Sequence, residues 1–409
     1  MEKSASAQKK LIFLCWLLYA VAYTGRHSYD ANINLVMAEY AVSRAEAGLV
    51  NSCFFFAYGL CQIPHGILSR YVSRRYMLPA ALLASACINL TLFFGAVPFA
   101  WVKVLWALNG VAQAALWPNL MRILGTSLSD EFRPRAVFTM GTTTATGTIT
   151  AYFASFLFVR FLNYRFSFLL AAAGMATAAL VWLFSYRELA DPATLVPVKK
   201  EKGEKAPKKA MGSALVALLV TVCLFAVISN FVKDGLQLWV PNVLKQNFSL
   251  PDDFSILLTM FLPLLNILGC AIAVNLQKKM PNFVAMETVF FAMSSIAALG
   301  VVAFLNVSFI PALVCFGVTG MFQASVNNTN TGMVPIYLSN KADSGMLAGI
   351  INACCYLGST LSSVGLCALA DALGGWQPVL RLLPALIFIP VVIGCVILII
   401  RRVRLNHAE

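Results

Sequence analysis

Long apolar stretches separated by short polar segments dominate this chain. Runs of spanning length can be placed at 11–37, 44–68, 77–97, 99–124, 136–160, 165–186, 212–245, 252–277, 283–304, 307–337, 343–370 and 376–400. A helix needs about 20 apolar residues to cross the hydrocarbon core of a bilayer. Because the backbone in lipid must satisfy its own hydrogen bonds, these unbroken runs predict helices and not barrel strands. The pattern predicts an all-α integral membrane protein with twelve transmembrane helices.

The distribution of basic residues predicts the orientation of these spans. Residues 1–10 are polar and basic, and the apolar run that follows has no small-residue cleavage site, which favours a first span over a removed signal peptide. With the N-terminus inside, 22 of the 30 Lys and Arg residues fall in cytoplasmic segments and six fall outside. Cytoplasmic loops carry the excess of positive charge in membrane proteins. Both termini are therefore expected in the cytoplasm.

Composition excludes several classes of protein. Hydrophobic residues make up 60% of the chain and charged residues 11%, against roughly 25% charged in a soluble domain. Most of the residues behind the net charge of +13 lie in loops, where they reflect the orientation of the spans in the membrane. The charge therefore does not indicate a nucleic-acid partner. The eleven cysteines lie in predicted spans without CxxC or metal-ligand spacing, and we expect neither disulfides nor a metal site. Phosphate-binding and hydrolase motifs are absent, so no cofactor and no enzyme activity is expected.

The chain divides into two similar halves. The lysine- and glutamate-rich stretch at 187–211 predicts a solvated cytoplasmic linker between six-helix bundles at 1–186 and 212–409. At an offset of 207 residues Arg26 falls on Lys233 and Glu46 falls on Asp253. Two in-membrane cations at matched positions indicate parallel repeats, and in transporters the substrate site lies where such repeats meet.

Arg26 and Lys233 are the two basic residues placed inside spans. A charge near the bilayer centre costs at least about 2.5–3.5 kcal/mol on insertion scales, so each should face a cavity or a partner. A planar guanidinium and an ammonium together suit a phosphate or another anion. Alternatively both are structural charges, since Asp30 lies within i,i+4 reach of Arg26. Asp234 adjoins Lys233 but is expected to point to another face, and Asp30 could instead carry a proton in a symporter.

Further polar residues are candidates for the same cavity. Tyr19, Tyr23 and Asp30 share the helix face of Arg26. In later spans Asn328 and Tyr356 could line the site, with helix–helix hydrogen bonding as the alternative. Trp117 in the fourth span is a further candidate for substrate binding, and Trp117-Pro118 predicts a kink there. Glu287 lies near the inner end of its predicted span, from where it could reach the surface.

Several segments resemble a known family. GILSRYVSRR at 66–75 resembles the major facilitator loop motif G-x-x-x-D-R-x-G-R-R. Gly66, Arg74 and Arg75 match, while Arg70 replaces the usual Asp. Four further features are more specific. They are the group Tyr19, Tyr23 and Arg26, the segment LNGVAQAALWP at 108–118, the residue Lys233, and the segment YLGSTLSS at 356–363. Together they resemble the organophosphate:phosphate antiporters, the group of the glycerol-3-phosphate and hexose-phosphate transporters.

The resemblance implies a major facilitator fold of two pseudo-symmetric six-helix bundles. It also implies that Arg26 and Lys233 hold a substrate phosphate and that an organic phosphate exchanges for inorganic phosphate by alternating access. The chain departs from the family at Thr146, where others carry histidine, and at Gln62, where some carry lysine; Asp30 is an added acid. These departures indicate a weaker or different organic anion. A proton-coupled symporter using Asp30, a transporter-like sensor and a membrane enzyme are the other hypotheses, and a bacterial inner membrane is the expected location.

Overall fold

The structure, a computed structural model, describes residues 5–68, 72–95, 97–129, 131–189, 213–334 and 344–406. Within these ranges the regular secondary structure consists of sixteen α-helices and one short π-helix, with no strand. The apolar runs of the sequence therefore fold as helices, as predicted. Predicted residues that lie outside the described ranges include most of the linker at 187–211 and the loop residue Arg70.

The helices of the first half follow the predicted spans, and several spans are broken into two helices. The break in the fourth span, after Gln113, comes just before Trp117-Pro118, close to the predicted kink. The helices are α1 Ala5–Ala31, α2 Ile33–Tyr40, α3 Arg44–Leu68, α4 Arg74–Phe94, α5 Phe99–Gln113, α6 Leu116–Ser127, α7 Arg133–Gly141, α8 Thr143–Phe161 and α9 Phe166–Leu189.

The helices of the second half also follow the predicted spans. Its tenth predicted span ends in a π-helix that continues directly from an α-helix. The elements are α10 Ser213–Phe248, α11 Asp252–Thr259, α12 Phe261–Lys279, α13 Phe283–Phe304, α14 Phe309–Asn328, the π-helix Thr329–Met333, α15 Ser344–Ala372 and α16 Trp376–Asn406.

Ten stretches of described helix are long and apolar enough to cross a membrane. The predicted spans at 44–68 and 136–160 are not among them, although α3 and the pair α7–α8 are helical over those residues. In α8 the threonine-rich first turns lower the hydropathy, and in α3 the side chains at 63 and 67 lie outside the described residues. A multi-pass membrane protein is thus supported, and the count of twelve spans stays a prediction.

Contacts within the chain define two units. The first contains Met1–Leu35 and Cys53–Ala210, and in it α1 packs against α8 and α9 while α4 packs against α9. The second contains Val36–Ser52 and Met211–Glu409, and in it α10 packs on α15 while α13 packs on α14 and α16. Residues 36–52 group with the second unit through contacts such as Ser52 Oγ donating to the Thr360 carbonyl at 2.8 Å. The domain boundaries drawn from the sequence stay a prediction.

Glu287 in α13 contradicts its sequence expectation. Its side chain is fully buried, with 0% of its surface exposed. Glu287 is buried although it lies near the end of α13. Burial depends on which face of a helix a residue occupies, and α13 packs against α14 and α16.

The close approach of α8 to α1 generates a stability prediction. A Cβ added at Gly147 would lie 2.3 Å from the Ala20 carbonyl oxygen and 2.4 Å from Tyr23 Cβ, whereas one at Gly141 would meet no heavy atom within 4 Å. Gly147→Ala should therefore destabilise the protein by about 1–3 kcal/mol through overpacking. The matched Gly141→Ala variant should lose nothing, because Ala is the better helix former. Apparent melting temperature in detergent measures both, and equal melting of the two variants would contradict this packing.

Candidate functional site

Arg26 lies in α1 with 4% of its surface exposed, and aromatic rings surround its guanidinium. Its Cζ is 4.3 Å from the ring centroid of Tyr23, 4.5 Å from that of Tyr58 and 5.0 Å from that of Phe54. Aromatic faces attract a cation through their quadrupole, and the attraction grows when water is excluded. A guanidinium flanked by rings binds other groups through its N–H edges.

A buried amide holds one of those edges. Arg26 Nη2 donates to Gln113 Oε1 at 3.4 Å, at the end of α5. Gln113 Nε2 in turn donates to Ser85 Oγ at 3.0 Å and to Asn109 Oδ1 at 3.2 Å, and Ser85 Oγ donates to the same Asn109 oxygen at 2.5 Å. Because the amide nitrogen is committed to α4 and α5, the Gln113 oxygen is oriented toward the guanidinium. The chain of polar groups therefore positions Arg26 from a neighbouring pair of helices.

The structure brings the predicted aromatic residues together at this site. Tyr19 and Tyr23 meet edge to face with ring centroids 5.1 Å apart, and Trp117 lies 4.8 Å from Tyr19. The Tyr19 hydroxyl is 3.3 Å from the hydroxyl of Tyr58. Three of the candidate residues thus share one wall with Arg26. The hydroxyl groups of Tyr19 and Tyr23 offer donors next to a buried positive charge.

Asp30 is also buried, one turn beyond Arg26. Its Oδ2 atom lies 2.6 Å from Nδ1 of His27, three residues earlier in α1. His27 stacks on Tyr23 with centroids 5.6 Å apart, so the pair adjoins the aromatic wall. A carboxylate bonded to an imidazole is a proton-exchanging pair, which keeps the proton-coupled alternative within the chemistry of this site.

Lys233 in α10 meets a different environment in the second unit. Its ammonium nitrogen lies 2.8 Å from Oδ1 of Asp234, and the two side chains are 17% and 21% exposed. The expectation that Asp234 points to another face was wrong, because the long lysine chain bends back to its neighbour. The other Asp234 oxygen accepts a short hydrogen bond from Ser359 in α15. Asp234 therefore offsets much of the Lys233 charge, unless a ligand competes for it.

The remaining second-unit candidates lie on helices that pack around Lys233. Tyr356 is half-buried in α15, and its carbonyl accepts from Thr360 Oγ1 at 2.7 Å. Asn328 is half-buried at the end of α14. The contact to α10 is made by the adjacent Asn327, whose Nδ2 donates to Asn230 Oδ1 at 3.1 Å. Roles for Asn328 and Tyr356 stay predictions.

The residues of the loop motif are partly described. Gly66 lies near the end of α3, and Arg70 lies outside the described residues. Arg74 begins α4 and is buried, while the Arg75 guanidinium lies 5.3 Å from the Tyr76 ring. A role for these residues in conformational change stays a prediction.

Sequence reasoning missed Gln113, Tyr58 and Ser359, which contact the two charged centres. Asn109 and Gln113 occur at i,i+4 spacing in an otherwise apolar span, and that signal could have marked a polar face on α5. Tyr58 and Ser359 carried no comparable signal, since a single hydroxyl in a span is common.

The amino-acid sequence over residues 15–363 matches the family model of the Major Facilitator Superfamily. The chain belongs to this superfamily. This membership supports a transport-type membrane protein and not an enzyme. The multi-pass helical fold predicted from the sequence agrees with this membership.

Curated relatives and solved structures refine the placement. The chain is 31% identical over 117 residues to the "Membrane sensor protein UhpC" of Escherichia coli strain K12, and 25% identical over 116 residues to the "Probable hexose phosphate transport protein" of Chlamydia pneumoniae. These matches cover 29% and 28% of this chain but only 26% and 25% of the relatives, consistent with the resemblance to organophosphate:phosphate antiporters.

Two solved structures show the same fold. A bacterial homolog of the human lysosomal transporter Spinster, in an inward-facing and unoccupied conformation, matches 96% of each chain with a TM-score of 0.74 at 15% identity. The nucleoside transporter NupG matches 95% of this chain and 99% of its own with a TM-score of 0.70 at 13% identity. At these identities the likeness concerns the fold alone.

The Lys233–Asp234 pair generates a second prediction. Removing one member of a buried ion pair costs about 3–5 kcal/mol because the other charge is left uncompensated; partial exposure should lower that cost here. Asp234→Asn and Lys233→Gln should each reduce the melting temperature in detergent. The double variant should lose less than the sum of the two, since neither charge remains. Strictly additive losses would show that the pair is not coupled.

Proposed function

We propose that the protein exchanges an organic phosphate, or a related organic anion, for inorganic phosphate across the membrane by alternating access. The observation that carries this proposal is the guanidinium of Arg26, buried within an aromatic cage and oriented by Gln113. Burying a cation in such a position costs free energy, and binding an anion would offset that cost. The position of Arg26 therefore favours an anionic substrate. The partial matches to hexose phosphate transport proteins support a sugar phosphate as the substrate class.

The N–H edges of Arg26 suit the phosphate group. A guanidinium donates parallel hydrogen bonds to two phosphate oxygens, while its faces rest on Tyr23 and Tyr58. The Tyr19 hydroxyl provides a further donor, and Trp117 provides an apolar wall for the organic part. In this proposal Gln113 yields its weak 3.4 Å contact when the phosphate arrives.

Lys233 is proposed as the second positive group, which a substrate can recruit from Asp234. Asp234 partly neutralises Lys233, and this agrees with the loss of positive groups at Thr146 and Gln62 relative to the family pattern. Thr146 donates its hydroxyl to the Thr142 carbonyl at 2.9 Å within its own helix, and Gln62 is buried and uncharged. Fewer positive groups favour weaker binding of the phosphate or a different organic anion, such as a carboxylate. Asn328 and Tyr356 are proposed to contact the organic part of the substrate.

Orientation and location complete the proposal. The positive-inside rule places both termini in the cytoplasm, and the bacterial relatives favour a bacterial cell membrane. The partners are then a small anionic substrate, inorganic phosphate or a proton as coupling species, and the lipid bilayer.

Proteoliposomes loaded with inorganic phosphate test the exchange. Uptake of radiolabelled phosphate and of hexose phosphate should require internal phosphate. Arg26→Ala should abolish exchange, and Arg26→Lys should lower it at least tenfold, because lysine keeps the charge but loses the stacked, forked geometry. Lys10→Gln, an exposed change in the same helix, should exchange like the wild type. Exchange by Arg26→Ala at the wild-type rate would refute the anion site.

A transporter-like sensor is the second candidate, because two relatives at 31% and 29% identity over 117 residues are named membrane sensor proteins. A sensor should bind hexose phosphate without moving it. Equilibrium binding to the purified protein, measured beside the flux assay, separates the two functions. Binding that is lost in Arg26→Ala, with no wild-type flux, would favour the sensor over the exchanger.

A further inference from the structure

The second unit contains a buried carboxylate that the proposed exchange does not use. Glu287 in α13 is 0% exposed, and within the described part of the chain neither of its carboxylate oxygens has a hydrogen-bond partner. An ionised carboxylate in an apolar interior is so unfavourable that it requires a positive partner or a proton. The partner of Glu287 therefore has to be found in its surroundings.

Contacts between α13 and α14 fix what lies across from Glu287. Gln323 Nε2 donates to Ser294 Oγ at 2.8 Å, and the rings of Phe290 and Phe322 stack with centroids 6.3 Å apart. The two helices are consecutive and antiparallel. Seven residues make about two turns, so Glu287 lies two turns from Ser294, and Asn330 lies two turns from Gln323 in the same direction.

Asn330 shares the unusual state of Glu287. It is 0% exposed, and both atoms of its side-chain amide lack a hydrogen-bond partner among the described residues. It lies in the π-helix Thr329–Met333, and such segments recur at functional sites. Two fully buried, unsatisfied polar side chains at one level of two packed helices indicate a site and not a packing accident.

Among the described residues, the charged groups of the surrounding elements are exposed or paired elsewhere, and Lys341 and Asp343 lie outside the described residues. Lys278 and Lys279 at the end of α12 are exposed, as is Arg402 near the end of α16. On α10, Lys233 is paired with Asp234, and α10 meets α13 through the Phe225 and Phe291 rings. The described residues of α14 and the π-helix carry no charge. The side chains of Arg401 and Arg404 lie outside the described residues.

We propose that Glu287, with Asn330 across from it, is a proton-binding site coupled to transport. On uptake a hydronium ion gives its proton to one carboxylate oxygen, where an O–H bond forms, and on release the same bond breaks. In the structure the two side chains make no hydrogen bond to each other; a rotation of Asn330 would let its amide hydrogen-bond the protonated carboxyl group. A metal cation fits less well, because hard cations take about six oxygen ligands and this pair offers three oxygens. In the proposed orientation the site lies toward the cytoplasmic end of α13.

The π-helix supplies a means of coupling. Conversion of the π-helix to α-helical geometry would shift the register of the following residues and rotate Asn330 on its helix. Such a rotation would change what the carboxyl group contacts and open its path to water. The protonation state of Glu287 and the geometry of the π-helix would then each shift the other, as coupling requires.

Infrared spectroscopy of the purified protein tests the protonation without any substrate. At neutral pH the wild type should show the C=O stretch of a protonated carboxyl group that Glu287→Gln lacks. Glu131→Gln, which changes an exposed carboxylate, should keep this band. If the spectra of wild type and Glu287→Gln agree in this region, Glu287 is ionised and the proposal is overturned. A band that disappears on adding Na⁺ would instead make the site a metal-cation site.

Coupling is tested in proteoliposomes, and this arm rests on the proposed exchange. An imposed pH gradient should stimulate phosphate uptake by the wild type and by Glu131→Gln. Glu287→Gln and Asn330→Ala should lose the stimulation, while Glu287→Gln keeps counterflow at equal pH. Wild-type exchange that ignores the gradient, or stimulation that survives in Glu287→Gln, would overturn the coupling. If the wild type exchanges no phosphate, the proposed function fails, and the infrared result alone decides the proton site.

Discussion

A guanidinium held in the low-dielectric interior of a membrane protein must find, in the protein, the solvation that it loses from water. In the first unit this requirement organises the surroundings of Arg26. Tyr23 and Tyr58 cover its faces, and Gln113 accepts from one edge. Gln113 is in turn fixed by Ser85 and Asn109, so polar groups on α4 and α5 act through one amide. The approach of α8 at Gly147 secures the backbone behind Tyr23. Packing, polar network and charge therefore position one residue, which is the residue proposed to bind the anion.

The second unit solves the same problem in another way. Lys233 occupies the matching position in the sequence repeat, but Asp234 lies 2.8 Å away and Ser359 holds the carboxylate. One unit thus carries a cation solvated by aromatic rings, and the other carries an ion pair. This asymmetry offers a physical reason why the proposed anion should be held more by the first unit than by the second. It also leaves Glu287 and Asn330 as a separate buried polar pair within the second unit, with chemistry suited to a proton.

Much of the fold and of the candidate site could be predicted from the hydrophobic pattern and from the free-energy cost of placing charge in lipid. Apolar runs predicted the helices, and the expense of charge in lipid singled out Arg26 and Lys233 before any contact was known. The start of α3 follows from residue type as well, since Ser43 and Glu46 form a capping box in which the Ser43 backbone nitrogen donates to Glu46 Oε2 at 3.0 Å. Local rules failed where long side chains or tertiary packing decide. The i,i+1 spacing predicted that Asp234 would point away, but four methylene groups let Lys233 reach it. Burial of Glu287 depends on which helices cover its face, and the partnership of Gln113 with Arg26 joins residues 87 positions apart; neither is visible in a single sequence.

The central claim is that Arg26 binds the phosphate group of the substrate. A structure determined with a hexose phosphate bound tests this claim most directly. The account predicts phosphate oxygens within hydrogen-bond distance of the Arg26 guanidinium, with the rings of Tyr23 and Tyr58 still stacked on its faces and the contact to Gln113 released. A phosphate bound beyond the reach of Arg26, with that guanidinium still donating to Gln113, would contradict it.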